Sequence, residues 1–173
     1  MHYASRRILA CLIDWACILG WVAVTAAVGV PLYLAGVITR TGALTLNAIG
    51  AVVVVVPVAL AAAWFESRSN PATPGKRVLG LVVCAAAGTP RFGQTLTRNA
   101  LKIGLPWLVG HAAVIAIVNT SAGEYPISVW ALLVVAYLLP LTWIASLFVG
   151  TGRRSYDRAS RTIVIDRRSP AEP

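Results

Sequence analysis

Acidic side chains are scarce: the 173 residues hold six Asp and Glu against fifteen Lys and Arg. Charged residues of both signs make up only 12% of the chain, about half the share of an ordinary soluble domain. So few carboxylates leave no paired-carboxylate arrangement for acid–base chemistry. With only two histidines, no HExxH and no Ser-His-Asp spacing occurs either. Cysteine is equally sparse. Cys11, Cys17 and Cys84 form no CxxC pair, which argues against a disulfide framework and against a structural metal. Thr73-Pro74-Gly75-Lys76 echoes the end of a phosphate loop, but that motif needs Gly at position 70 and Ser or Thr at 77. The chain has Asn70 and Arg77 there, which excludes nucleotide binding on this motif. No cofactor is expected, and the chain does not read as an enzyme.

Apolar residues fill the gap, at 58% of the chain. They gather in four runs, Ile8–Val30, Leu44–Phe65, Ile103–Val118 and Ile127–Val149. A helix needs about 20 apolar residues to cross roughly 30 Å of hydrocarbon. Three runs meet that length. The third is shorter and contains Pro106, Trp107 and His111; it crosses as a tilted or bilayer-thinning span, or turns back as a re-entrant helix. Asp14 and three further spans argue that the first run is no cleaved leader, although Ser5-Arg6-Arg7-Ile8-Leu9 faintly echoes an export signal.

The basic residues take one side of these runs. Arg6 and Arg7 precede the first, six lie between the second and third, and six follow the fourth, leaving Arg40 alone on the other side. Positive charge beside membrane spans stays cytoplasmic, so the bias favours four crossings with both termini inside. It also explains the net charge of +9 without nucleic acid. Anionic lipid headgroups are the expected partners of the basic face, at about 1 kcal/mol per basic residue near the surface. Arg153, Arg154, Arg158 and Arg161 form the densest such cluster.

The expected fold is an all-α membrane protein with four transmembrane helices. Its cytoplasmic loop, from Glu66 to Lys102, carries a short strand and an amphipathic interfacial helix. Val78–Cys84 is the strand and Phe92–Lys102 the helix, with Leu96, Ala100 and Ile103 on its apolar stripe and Arg98 and Lys102 outside it. A helical turn around Tyr156-Asp157-Arg158 precedes a second β-branched run, Thr162–Ile165, that can pair with the first. Helix one is expected to end near Pro31, and kinks are expected at Pro57 and Pro140. One domain over residues 1–166 is followed by a disordered tail, 167–173. Small residues spaced four apart, Ala23/Ala27, Ala59/Ala63 and Ala112/Ala116, permit close helix approach.

A charge inside an apolar span is the sharpest local clue, because it costs about 2.5–3.5 kcal/mol at a helix centre. Asp14 lies six residues past Ile8, about 9 Å along the axis, and its short side chain cannot reach back to water. His111 is one candidate partner, at a similar depth when its helix is started at Leu105. The other reading is that each residue satisfies a nearby hydroxyl or carbonyl.

Four stretches together resemble the RDD family of small bacterial membrane proteins. They are Arg7-x-x-Ala10-x-x-x-Asp14, Ala72 through Val83, Arg98-Asn99, and Tyr156-Asp157-Arg158-x-x-x-Thr162-x-Val164. The one arginine and two aspartates that name the family correspond to Arg7, Asp14 and Asp157. Where the family commonly has His before the last Asp and Gly before the Thr, this chain has Tyr156 and Arg161. The resemblance implies a bacterial plasma-membrane protein; some members are linked to sodium–proton exchange, others are accessory proteins. A charge-assisted bond from Asp157 to Arg7, or to the Thr73–Lys76 turn around Gly75, would clasp the termini to the central loop, with Arg98 nearby. Two functions remain open. One is a non-enzymatic accessory subunit or assembly factor of a larger membrane complex. The other is a small oligomeric cation/proton antiporter using Asp14. Partners are membrane lipids and either other membrane subunits or further copies of the chain.

Overall fold

A computed structural model describes residues 3–37, 42–120, 125–146 and 154–167. Helix α1 runs Tyr3–Leu34 and passes through Pro31 without ending, three residues beyond the expected stop. After a glycine in the left-handed region (Gly36, φ 73°), α2 (Ala43–Gly50) enters a π turn, Ala51–Val55, that hands over to α3 (Val56–Glu66). Pro57 therefore follows a π turn, where a simple kink was expected. Proline offers no N–H to the carbonyl four residues earlier. That carbonyl belongs to Val53, and the Trp21 indole of α1 donates to it at 3.1 Å.

The connection after α3 opens with α4 (Pro74–Val78), then Gly80 at φ 68° ends the turn. Strand β1 follows at Leu81–Ala85. The predicted strand Val78–Cys84 is thus displaced, because Thr73-Pro74 starts a helix that keeps Val78. Helix α5 (Phe92–Asn99) continues through a second π turn, Ala100–Gly104, into α6 (Leu105–Val118). The helix expected from Phe92 is present and is continuous with the third span. Phe92–Val118 is one helical stretch of 27 residues, long enough to cross with about two turns to spare. The two π turns pack together, Gly104 against Val55, and each is followed within two residues by a proline, Pro57 or Pro106.

Helix α7 (Ile127–Ala145) completes the set and runs through Pro140. Among the described residues four helical stretches are long and apolar enough to cross a membrane, with only 6–17% of their most apolar windows buried. Leu12, Trp15 and Leu19 on α1 all point outward, as lipid-facing side chains do. Of the small-residue pairs, Ala59 and Ala63 are buried where α3 meets α5, whereas Ala23 and Ala27 are exposed.

The chain closes with α8 (Ser155–Ala159) and β2 (Thr162–Asp166). β2 pairs antiparallel with β1, Val83 opposite Val164 and Leu81 opposite Asp166. Thr162 and Val164 face inward while Ile163 and Ile165 stay partly exposed, the period-two pattern of a half-buried strand. Ala10, Leu79, Leu81, Val83 and Val164 form a small apolar cluster between this two-stranded sheet and α1. Arg167, placed in the expected tail, donates its N–H to the Gly80 carbonyl at 3.0 Å; residues 168–173 lie outside the described residues.

Candidate functional site

Several of the best-buried side chains at the sheet end of the bundle are polar. Arg98, Glu66, Asn99, Thr95 and Asp157 are all below 2% exposed. The bilayer-facing surface is apolar and the centre of this end is ionic, inverting the arrangement of a soluble protein.

The geometry starts at α4. Thr73 is its N-cap in an extended conformation and Pro74 its first residue, so the first orphan N–H belongs to Gly75. Asp14, reaching over from α1, accepts that N–H at 2.8 Å and the Thr73 hydroxyl at 2.6 Å. A carboxylate from one helix therefore caps another, with the favourable sign for a helix N-terminus. The approach depends on Gly75, since a Cβ there would lie 2.1 Å from the Ala10 carbonyl oxygen.

Lys76, on the next position, donates to Glu66 at 2.7 Å and to Thr73 Oγ1 at 3.0 Å, and lies 3.9 Å from Asp14. Glu66, the last residue of α3, also accepts from Arg98 at 2.7 and 2.8 Å and from Asn99 at 2.9 Å. Arg98 turns its Nε to Asp157 at 2.8 Å. The other Asp157 oxygen accepts from Arg7 at 3.1 Å and from the Arg154 backbone N–H at 3.3 Å. One chain of contacts thus runs Asp14–Thr73–Lys76–Glu66–Arg98–Asp157–Arg7 and ties α1, α3, α4, α5 and α8 together. Its three cations match its three carboxylates. That match matters, because each buried ion costs several kcal/mol unless it is paired and hydrogen-bonded.

Burial alone would raise the Asp157 carboxyl. The guanidiniums of Arg98 and Arg7 outweigh it and hold the group below its ordinary range. For Lys76 burial wins, pulling the ammonium below its ordinary value against the attraction of Glu66.

The RDD family model matches residues 3–161, a span that includes all of these residues. The chain belongs to the RDD family. Neither the curated proteins nor the solved structures yield a match.

In this RDD protein the three name-giving residues, Arg7, Asp14 and Asp157, sit in one network. Arg7 and Asp157 are in contact, and Asp14 takes the Thr73–Lys76 turn that was offered as an alternative partner for Asp157. His111 does not meet Asp14. It bonds Asn47 at 2.8 Å and stacks on Trp107, with ring centroids 4.3 Å apart. The depth estimate failed because the helix starts at Phe92, which places His111 19 residues along it, about 28 Å from its first turn. Gly50 makes room for this stack; a Cβ there would lie 2.7 Å from the Trp107 ring.

The basic cluster also divides. Arg158 and Arg161 are exposed, whereas Arg154 is buried against the Tyr156 hydroxyl at the start of α8. Arg153 lies outside the described residues. Arg98, expected on the polar face of an interfacial helix, is instead the hub of the network. Glu66 was missed as a site residue. A charge count was the available signal: Lys76 and Arg98 cannot both be buried on Asp14 and Asp157 when Arg7 already takes a share.

Proposed function

We propose that this RDD protein catalyses no reaction and serves as an accessory subunit or assembly factor of a larger membrane complex, such as a transport system. It sits in the bacterial plasma membrane with both termini cytoplasmic. The observation that carries this reading is the closure of the charge network. Both oxygens of Asp14 are occupied by Thr73 and Gly75, so the carboxylate that an exchanger would load and unload is fixed as a helix cap. Outwardly the helices offer apolar faces suited to lipid or to neighbouring subunits. The topology rests on the charge bias described above, and the exposed Arg158 and Arg161 suit anionic headgroups.

Capture of the tagged full chain in mild detergent tests the role. The expected result is a defined set of membrane proteins recovered in fixed ratio; recovery of the chain with itself alone counts against it. Proteoliposome flux tests the antiporter reading directly. Sodium- or proton-coupled exchange that disappears in Asp14→Asn, with the protein still folded, would replace the subunit reading. A reporter fused after Pro173 that is active outside the cytoplasm would reverse the topology.

A further inference from the structure

Two cations at the network end are left over once the six ions are paired. The Lys102 side chain, in the second π turn, makes no hydrogen bond or ion pair among the described residues and acts on Glu66 only at longer range. Arg154 reaches the Tyr156 hydroxyl with one nitrogen, but its buried Nε has no partner. The whole residue is only 8% exposed, so water does little to screen the charge. Both line a small cavity, about 20 Å³, together with Arg7, Lys76, Arg98 and Asp14. Among the described residues Asp14 is the only carboxylate on its wall. Counting the carboxylates behind the wall, Glu66 and Asp157, five cations face three anions among the described residues.

We propose that this cavity is a binding site for a phosphate group. A surplus of two positive charges matches a group carrying one to two negative charges at neutral pH. Three guanidiniums and two ammoniums supply the fixed forks and point charges that recognise phosphoryl oxygens. The volume admits a water-sized group, so one or two phosphoryl oxygens enter between Lys102 and Arg154 while the rest of the molecule stays at the mouth. An anion there offsets the buried charge of Arg154. This site is separate from the exposed Arg158 and Arg161, and it does not depend on whether the chain joins a larger complex. The same chemistry is offered by an anionic lipid headgroup and by free phosphate.

Binding to the purified full chain in a neutral, phosphate-free detergent tests it, read by native mass spectrometry and by the rise in Tm. The probes are inorganic phosphate, short-chain phosphatidylglycerol, and diacylglycerol as the lipid without a phosphate. Saturable binding of at least one phosphate-bearing probe is expected, with none of diacylglycerol. Lys102→Gln weakens it by at least about tenfold, the loss of one charge-assisted contact, while Arg158→Gln changes it by less than about twofold. Binding of phosphatidylglycerol alone assigns the site to a headgroup, and binding of inorganic phosphate alone to a free anion. Arg154→Gln also removes the Tyr156 contact and can unfold the chain, so Lys102→Gln, at a half-buried side chain without a hydrogen bond or ion pair among the described residues, decides. No saturable binding of either phosphate probe overturns the proposal, as does equal binding by wild type and Lys102→Gln.

Discussion

A methyl group on Gly75 would meet the backbone of α1, not a side chain able to swing aside. Its carbon would lie 2.1 Å from the Ala10 carbonyl oxygen and 3.0 Å from Asp14 Oδ1. Gly75→Ala must push α4 off α1 and break the cap, so a loss of about 3 kcal/mol or more is expected. Thermal unfolding in detergent measures it; an unchanged Tm would mean that the two helices do not touch in this way. Arg161 presents the opposite case. It follows α8 with φ 55°, in the left-handed region that costs a side-chain-bearing residue about 1–2 kcal/mol, at a place where glycine commonly ends a helix. Arg161→Gly is expected to raise stability by about 1 kcal/mol after allowing for the freer unfolded chain. A Tm at or below wild type would show the strain to be absent. Asp14 was legible as a charge within an apolar run, whereas Arg7 and Asp157 were legible as site residues through the family resemblance. Glu66 was not, since a carboxylate just after Trp64-Phe65 reads as a residue reaching water. Only the return of α5 and α4 over the end of α3 buries it.

Apolar periodicity located the four helical stretches but misjudged where the third begins. Gln94, Thr95, Thr97 and Arg98 look like a solvent-facing surface when taken alone. In the fold Thr95, Arg98 and Asn99 face the ionic centre, so the polar stripe of α5 is an inward face continuous with α6. Strand pairing was legible from two β-branched runs, although Thr73-Pro74 moved the first strand toward Ala85. The π turns were not legible, because nothing in Ala51–Val55 distinguishes them from an ordinary helix until the prolines that follow are considered. One consequence is measurable. Trp21→Phe removes the donor to the Val53 carbonyl, and interhelical hydrogen bonds in membranes contribute about 0.6 kcal/mol, up to about 1.7. In a Pro57→Ala background the residue at 57 regains its own N–H, and the same tryptophan substitution is expected to cost less. A double-mutant cycle reads the difference; equal costs in both backgrounds would mean that the indole does not replace the missing backbone donor.

Taken whole, the molecule is an apolar set of helices drawn together at one end by three carboxylates and three cations, from five elements, that pair with one another. Removing one sign unbalances all of it. Glu66→Gln keeps the shape but leaves Lys76 and Arg98 without their shared carboxylate, and breaking a buried pair costs about 3–5 kcal/mol. Unfolding measured in denaturant should show that loss. Acid acts on the same frame through Asp157. Its carboxyl is held below the ordinary value of 3.8 by Arg98 and Arg7 against the effect of burial, so the folded state favours the ionised form. The stability this confers is complete well above 3.8 and disappears as the pH falls through the lower, folded value. Wild-type Tm should therefore stay level from neutral pH down to about 5 and drop below about 4. Asp157→Asn should lie lower at neutral pH, with Arg7 and Arg98 buried unpaired, and should show a shallower acid-side drop because the group that titrates is gone. An identical slope in both proteins would place the acid-sensitive step elsewhere and detach the Arg7–Asp157–Arg98 contact from the stability of the fold.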